Sequence, residues 1–490
     1  MIKGTFTFAN YNETKDLSAE FEYDDLWFEE DAKSDNPKLR SMSLALCMSA
    51  FPSTRYGADR QYENVRELIG KLGFRAFSVN GDFKREPSEA SLGVFAAKKD
   101  IVSDGEMITL IVCGFRGASY GPEWYENTII GDTGPADGFK KAAERARGFL
   151  EKYLKGVYGA GRIKLWIAGY SRSAAVANLI GCEVGELGVE PGDAFVYTFE
   201  SPCAAETLKA VKYGHIHNTF NPIDFVSYII PESWGFCRAG VDDCLIPVPG
   251  DERWEKYYPR VAGMVKQFVP DITFEPKDFE RKCVLGAKIC SVDENEERLR
   301  KKGKLEDWWF EGRRDVFARE FIDYMAKKMA PSAGVMDDDE RSRRLVYTGH
   351  YEKSFAYVSK AYLGAEKKKL LAIREQLIKF GKELLNDKSK QNRFYIKLRL
   401  GTRGSIKRMA KGFSDKVIDC IKMHPEFKDA KLDEVKKNIR PLVYYFLYAM
   451  SRDTKEKHFA YGLSFESFLW PSLMAHIPEY TYSWLKVLEE

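Results

Sequence analysis

The chain has 490 residues, of which 44% are hydrophobic and 14% aromatic, so it can bury a large core and is long for a single compact unit. Its formal net charge of +3 hides an asymmetry, because residues 351–460 hold 27 Lys and Arg against 13 Asp and Glu, whereas the remainder holds 49 against 60. We therefore expect a basic module attached to an acidic body.

Composition also excludes several classes of protein. No run approaches the roughly 18 to 20 apolar residues that a membrane-spanning helix needs. The first residues carry neither the basic nor the apolar region of a secretory leader. Nine scattered cysteines are typical of reduced thiols in a cytoplasmic protein, and their C-x6-C spacing is longer than that of common zinc sites. We predict no metal site.

The first part of the chain predicts a lead-in followed by a helical and strand-rich region. Residues 1–40 contain an acidic stretch, and we expect them to be solvated. Helical periodicity, apolar runs and turn residues then predict helices at 39–50 and 62–72, a strand at 74–79, and an antiparallel hairpin of strands 91–98 and 107–114. The second hairpin strand is almost wholly apolar, as central strands are.

Helices and strands alternate in the next part of the chain. The predicted elements are a helix at 136–157, strands at 162–168, 193–198 and 215–220, a helix near 204–211, and a terminal helix at 481–488. This alternation predicts an α/β fold with a mostly parallel central sheet covered by helices.

A serine stands at the junction of one predicted strand and helix, in the pentapeptide Gly169-Tyr170-Ser171-Arg172-Ser173. A serine hydroxyl is a weak nucleophile, so it has to be presented to a base beside backbone N–H groups that can hold an oxyanion. The small residues Gly169 and Ser173 would let strand and helix approach closely. Taken alone, the pentapeptide is equally consistent with an ordinary strand-to-helix turn that happens to contain serine.

Three further stretches accompany the serine turn: VCGFRGA at 112–118, YTFESP at 197–202 and NTFNPIDFVSYIIP at 218–231. In kind, order and spacing, the four stretches resemble the class 3 (fungal-type) lipase family of α/β-hydrolases. That family has FRGT or FRGS, GxSxG, TFGSP and N-x-x-D-x-V-P at the corresponding places. The resemblance spans residues 107–231 and implies an α/β-hydrolase fold.

The resemblance also implies roles for individual residues. Ser171 would be the nucleophile, and Asp224 would orient a histidine and stabilise its imidazolium form. The backbone N–H groups of Ala118 and Arg172 would form the oxyanion hole. Without this context, Asp224 would be interpreted as a turn or helix-capping aspartate. The implied chemistry requires no metal and no cofactor.

The base has to come from six histidines. Strand positions 215 and 217 favour a structural role, and positions 350, 424 and 458 lie in charged sequence that favours the surface. His476 lies near the end of the chain, as in the family, although Tyr480 follows one position later than usual. It gives the order Ser, Asp, His that this fold uses. The alternative is a capping or surface histidine.

The sequence departs from the family at several positions. Ser173 replaces the last glycine of GxSxG, Ala118 replaces Thr or Ser, and Ser227 replaces the proline after the aspartate. The separation of Asp224 from His476 is far longer than usual. We therefore predict a catalytic core of residues 1–250 and 461–490, and a mainly helical, lid-like insertion at 251–460.

The insertion contains a strongly basic stretch that begins at Lys388 and ends at Lys411, with nine Lys or Arg and no acidic residue. A solvated face is the ordinary interpretation, and attraction to an anionic membrane surface or anionic partner is the alternative. The absence of a recognisable nucleic-acid-binding motif argues against nucleic acid as a partner.

Taken together, these patterns predict a cytoplasmic serine carboxylic-ester hydrolase, lipase- or esterase-like, that acts on an ester or lipid through an acyl-enzyme. Two other hypotheses stay open. One is a non-catalytic hydrolase-fold binding module whose basic insertion recruits an anionic partner. The other is an acyltransferase that uses the same three residues.

Overall fold

The structure is a computed structural model that describes residues 1–10, 16–51, 59–83, 91–103, 105–117, 126–127, 135–157, 161–206, 213–222, 224–228, 230, 236–248, 251–270, 415 and 475–489. The predicted insertion lies largely outside these residues, including its basic stretch and His350, His424 and His458. The division into a core and an insertion stays a prediction.

The described strands are, in chain order, β1 (Ile2–Ala9), β2 (Asp16–Tyr23), β3 (Arg75–Val79), β4 (Val94–Ser103), β5 (Glu106–Phe115), β6 (Ile163–Tyr170), β7 (Ala194–Phe199), β8 (Ala205–Glu206), β9 (Ile216–Phe220), β10 (Phe236–Cys237) and β11 (Val241–Leu245). The described α-helices are α1 (Pro37–Ser49), α2 (Asp59–Lys71), α3 (Asp137–Lys155), α4 (Arg172–Gly181), α5 (Glu252–Phe268) and α6 (Pro478–Leu488).

Seven of these strands form the central sheet, in the order β11-β9-β7-β6-β5-β4-β3. The pairs from β11 to β5 are parallel, whereas β4 pairs antiparallel with both β5 and β3. The predicted hairpin of β4 and β5 is confirmed, with Val94 opposite Phe115. The mostly parallel sheet with flanking helices gives the described part of the chain an α/β-hydrolase-like fold.

Strand β6 is apolar on both sides because helices cover both faces of the sheet. Leu165 and Ile167 face the core that contains the apolar sides of α3 and α4. Trp166 and Ala168 face the opposite core, which contains α1, α2 and the β1–β2 hairpin. The Trp166 indole N–H donates to Ser43 Oγ of α1 at 2.8 Å. Two buried layers thus hold the strand that leads to Ser171.

The expectation of a solvated lead-in at residues 1–40 is wrong. Strands β1 and β2 form an antiparallel hairpin, and its inward side chains, among them Phe6, Phe8, Phe21 and Tyr23, are buried. The reason is period-two alternation, in which aromatic residues face the core and acidic residues such as Glu22 face solvent. The acidic composition favoured a solvated interpretation, although aromatic residues alternate with the acidic ones along both strands.

Two further features differ from the sequence-based expectation or extend it. The helix predicted near 204–211 is wrong at its start, since Ala205–Glu206 instead pairs antiparallel with Phe236–Cys237; residues 207–212 lie outside the described part. Helix α5 belongs to the predicted insertion by position, yet Trp254 packs against Trp484 of α6. The packed body thus continues at least through α5.

Among the described helices, none is long and apolar enough to cross a bilayer. The six cysteines in the described part are all free thiols, as expected for reduced cysteines, and two of them, Cys237 and Cys244, belong to the C-x6-C pattern. Cys283 and Cys290 of that pattern lie outside the described residues.

Candidate active site

Ser171 lies at a sharp turn between β6 and α4. Its backbone has φ 57° and ψ −126°, a conformation that non-glycine residues rarely adopt. Ser171 N donates to Phe199 O of β7 at 2.9 Å, and Ser171 O accepts from Ala174 N at 2.9 Å. The strand and helix therefore fix the serine at the carboxyl end of the sheet, with 4% of its surface exposed.

Gly169 makes this turn possible. A Cβ atom at residue 169 would lie 2.4 Å from the Ser173 carbonyl oxygen, too close for any side chain. Ser173 itself is fully buried, and its hydroxyl donates to Arg116 O at 2.8 Å. The serine in place of the family's last glycine therefore fits the turn and ties the start of α4 to the segment after β5.

Asp224 lies beyond the end of β9, in the turn that precedes a short 3-10 helix at Phe225–Tyr228. Its side chain is completely buried. Oδ1 accepts from Val226 N at 2.9 Å, and Oδ2 lies 3.2 Å from Ser227 Oγ. The capping role that the sequence allowed for Asp224 is thus present, but it occupies only Oδ1.

The other carboxylate oxygen faces His476. The Nδ1 atom of His476 lies 2.6 Å from Asp224 Oδ2, and its Nε2 atom lies 2.8 Å from Ser171 Oγ. Because a carboxylate accepts hydrogen bonds, Nδ1–H donates to Asp224 and the Nε2 lone pair is directed at the serine hydroxyl. The three side chains therefore have the serine–base–orienting acid arrangement of a catalytic triad.

The two donors proposed for the oxyanion hole are placed differently. Arg172 is the first residue of α4, where backbone N–H groups have no acceptor within the helix and the helix dipole favours negative charge. Its side chain is buried and forms an ion pair with Glu126 at 2.9 Å and a hydrogen bond with Asn127. Ala118 lies outside the described residues.

A second buried carboxyl group, Glu200, lies beside Asp224. Burial raises the pKa of Glu200 well above its usual range, and the nearby Asp224 charge raises it further. No pattern in the sequence assigned a role to Glu200. The sequence nevertheless contains a feature that could have identified Glu200. In YTFESP an acidic residue directly follows a predicted strand, at the position where the similar family motif has glycine.

His215 and His217 are structural, as their strand positions predicted. His215 Nε2 donates to Gly181 O at 3.0 Å. His217 Nε2 donates to Ala32 O at 2.7 Å, and its Nδ1 lies 2.5 Å from Asp243 Oδ2. These bonds hold β9 and the residue before it against neighbouring segments.

In the part of the chain that the structure describes, one group of side chains has the spacing of metal ligands: Asp35, His217 and Asp243, with ligand atoms within 4.8 Å of one another. Both ring nitrogens of His217 are already engaged, and Asp35 forms an ion pair with Arg40. This geometry is that of an ion-pair cluster, since the ring has no lone pair to offer a metal.

Comparison with known proteins gives only distant similarities. No protein-family model matches the chain, and no curated protein matches it. A fungal lipase–inhibitor complex is 18% identical, covering 44% of this chain and 81% of that one, with a TM-score of 0.31. A lipase from Rhizopus microsporus var. chinensis is 13% identical (41% and 72% covered, TM-score 0.30).

A triacylglyceride lipase from Rhizomucor miehei is 19% identical, covering 41% of this chain and 77% of that one, with a TM-score of 0.27. Similarities this distant do not bear on substrate or catalytic residues. The chemistry has to be argued from the site itself.

Proposed function

We propose that this protein is a serine carboxylic-ester hydrolase, lipase- or esterase-like, in which Ser171, His476 and Asp224 form the catalytic triad. The observation that carries the proposal is the pair of contacts at 2.8 Å and 2.6 Å that join the three side chains in one line. The strained backbone of Ser171 supports it, because such strain recurs where a nucleophile must be presented.

The first half of the reaction would form an acyl-enzyme. Ser171 Oγ attacks the ester carbonyl carbon while His476 Nε2 takes the hydroxyl proton, and Asp224 stabilises the resulting imidazolium. The oxyanion accepts hydrogen bonds from the Arg172 and Ala118 backbone N–H groups. The intermediate then collapses, the C–O bond to the alcohol breaks, and His476 returns the proton to the leaving alcohol.

Water completes the cycle in the second half. His476 takes a proton from water while the water oxygen attacks the acyl carbon. The bond between the acyl carbon and Ser171 Oγ then breaks as His476 returns a proton to the serine. One ester and one water thus give one acid and one alcohol. In this proposal Ser171 supplies the nucleophile, His476 the base and the Arg172 N–H an oxyanion donor.

The first prediction tests the nucleophile. Ser171→Ala should abolish hydrolysis of a short p-nitrophenyl ester and covalent labelling by a fluorophosphonate probe, because no oxygen remains to attack. His476→Ala should lower the hydrolysis rate by several orders of magnitude. Circular dichroism should show a native fold for both variants. Unchanged turnover in Ser171→Ala would contradict the proposal.

The same assay separates the two alternatives. A binding module would fail to label with fluorophosphonate, because only an activated serine reacts. An acyltransferase would divert product from acid to a new ester when an alcohol is added. A series of p-nitrophenyl esters of increasing acyl length would then show whether the substrate is a lipid or a small soluble ester. Recruitment of an anionic surface by residues Lys388 to Lys411 is a separate proposal.

A further inference from the structure

Glu200 is a buried acidic residue to which the proposed catalytic cycle gives no role. It follows β7 directly, has no exposed surface, and its φ of 50° lies in the left-handed region that favours glycine. The family motif that this stretch resembles, TFGSP, has glycine there. Retaining glutamate at such a position costs stability in both backbone conformation and burial, so its contacts need an explanation.

One carboxyl oxygen of Glu200 holds the turn that carries Asp224. Oε2 accepts from Asn221 N at 2.9 Å and lies 3.3 Å from Ser227 Oγ. Asn221 and Ser227 lie on either side of Asp224, and Ser227 Oγ also lies 3.2 Å from Asp224 Oδ2. The Glu200 side chain thus fixes both ends of the turn from which Asp224 reaches His476.

The other oxygen holds the segment that carries His476. Oε1 accepts from Thr481 Oγ1 at 2.9 Å, in the first turns of α6. Thr481 Oγ1 lies 3.3 Å from the Tyr170 hydroxyl, which donates to His476 O at 2.7 Å. Tyr170 immediately precedes Ser171. The chain of contacts from Glu200 therefore reaches the backbone of His476 and the strand residue next to the nucleophile.

We propose that Glu200 is a positioning residue, whose single side chain fixes the Asp224 turn and the His476 segment relative to each other and to Ser171. The inference rests on the proposed hydrolase function. Positioning by Glu200 is important because Asp224 and His476 are far apart in sequence. Their alignment therefore depends on contacts that bridge the two segments. Misplacement of catalytic groups by about 1 Å can lower a rate about 100-fold.

The environment of Glu200 favours an uncharged carboxyl group. Burial raises its pKa well above the usual range, and the Asp224 charge and a hydrogen bond with Asp224 raise it further. Among the described residues, Tyr170 and Cys244 interact electrostatically with Glu200. The Arg238 guanidinium lies close by and donates to Ser227 O at 2.5 Å. A neutral carboxyl group can hold both segments without adding a second negative charge beside Asp224.

Two substitutions separate positioning from charge. Glu200→Gly relieves the backbone conformation but removes every contact of the carboxyl group, so we expect kcat for a short p-nitrophenyl ester to fall about 100-fold with KM changed less than about threefold. Glu200→Gln keeps the shape of the side chain without a charge, and its amide oxygen can accept from Asn221 N while its amide NH2 donates to Thr481 Oγ1. Its kcat should stay within about threefold of the parent, with an unshifted acidic limb of the pH profile.

Controls make each outcome decisive. Ala76 also has a left-handed φ, 54°, and is exposed far from the site, so Ala76→Gly should leave kcat unchanged. Thermal melting and circular dichroism verify that each variant is folded. The rate of fluorophosphonate labelling at Ser171 should fall in Glu200→Gly and persist in Glu200→Gln.

The possible results distinguish the two proposals. If Ser171→Ala abolishes activity while a folded Glu200→Gly keeps the parent kcat, the positioning role is wrong and the hydrolase function stands. If Glu200→Gln loses as much activity as Glu200→Gly, or shifts the acidic limb by about one pH unit, the group acts through its charge and the proposed neutral role is overturned. A parent protein that neither turns over ester nor labels at Ser171 would overturn both proposals.

Discussion

At the scale of single residues, the serine turn combines a strained conformation with an unusually close backbone approach. Ser171 has a positive φ, and the neighbouring position 169 has no room for a Cβ atom because the Ser173 carbonyl lies against it. Such strain costs on the order of 1–3 kcal/mol and persists only where surrounding contacts enforce it. Here the enforcing contacts are the bonds to Phe199 and to the first turn of α4.

The second prediction concerns this close approach. Gly169→Ala should lower the free energy of unfolding by about 1–3 kcal/mol and reduce activity, because the new methyl group must displace backbone rather than a flexible side chain. Gly148, in α3, has open space where its Cβ would lie. Gly148→Ala should therefore stabilise the protein by about 0.5–1 kcal/mol.

Urea unfolding of both variants measures the difference, and ester hydrolysis measures the effect on the turn. Equal stabilities for the two alanine variants would show that the packing at residue 169 is looser than described.

At the scale of elements, the position of His476 depends on two helices that are distant in sequence. Trp254 of α5 stacks on Tyr258, with ring centroids 4.3 Å apart, and lies 5.3 Å from Trp484 of α6. Ala475 and Ile477, on either side of His476, are buried in the same cluster. The packing of α5 on α6 therefore anchors the loop of the candidate base.

The third prediction tests this anchor. Trp254→Ala should cost about 3–5 kcal/mol, because it removes a large buried ring and leaves a cavity against Trp484. We expect ester hydrolysis to fall together with faster hydrogen exchange in α6, since the loop before that helix loses its support. Glu255→Ala, on the exposed side of α5, is the matched control and should change neither.

Unfolding in urea and amide exchange provide the measurements. Unaltered exchange in α6 of a folded Trp254→Ala variant would show that the loop is held by other contacts.

At the scale of the whole molecule, two histidines near one end of the sheet have pKa values that are shifted in opposite directions. Burial lowers the pKa of His215. Burial alone would also lower the pKa of His217, but its hydrogen bonds with Asp243 and Ala32 raise it overall. His217 lies in β9 and His215 immediately precedes that strand. Both pKa shifts therefore affect the same part of the sheet.

The fourth prediction follows from these directions. The folded state binds a proton on His217 more tightly than the unfolded chain, so its contribution to stability is complete below about pH 6.5 and is lost as pH rises through the raised pKa. His215 behaves in the opposite way, because its lowered pKa reduces stability as pH falls below about 6.5.

His217→Gln should therefore make the slope of unfolding free energy against pH more positive above about pH 6.5, and His215→Gln should make it less positive below that pH. Urea unfolding at several pH values between about 5 and 8 measures both slopes. Slopes that move in the same direction in the two variants would contradict this assignment.

Local sequence patterns were sufficient to predict the parts of this protein that depend on neighbouring residues. Periodicity and turn residues predicted β4 and β5 as a hairpin, and the small residues around Ser171 predicted the strand-to-helix turn. The β1–β2 hairpin was missed because its aromatic residues alternate with acidic ones, and the acidic composition favoured a solvated interpretation.

The family resemblance implied that Ser171, Asp224 and His476 belong to one site, whereas the contacts that join such distant residues exist only in the folded chain. The fold brings His476 to Asp224 and Ser171 because α6 packs against α5 and α1, contacts that no local pattern encodes. It also places Glu200 against the Asp224 turn and Thr481. The physical reason is that local propensities act over a few residues, whereas the alignment of a catalytic site depends on packing and buried hydrogen bonds between segments hundreds of residues apart.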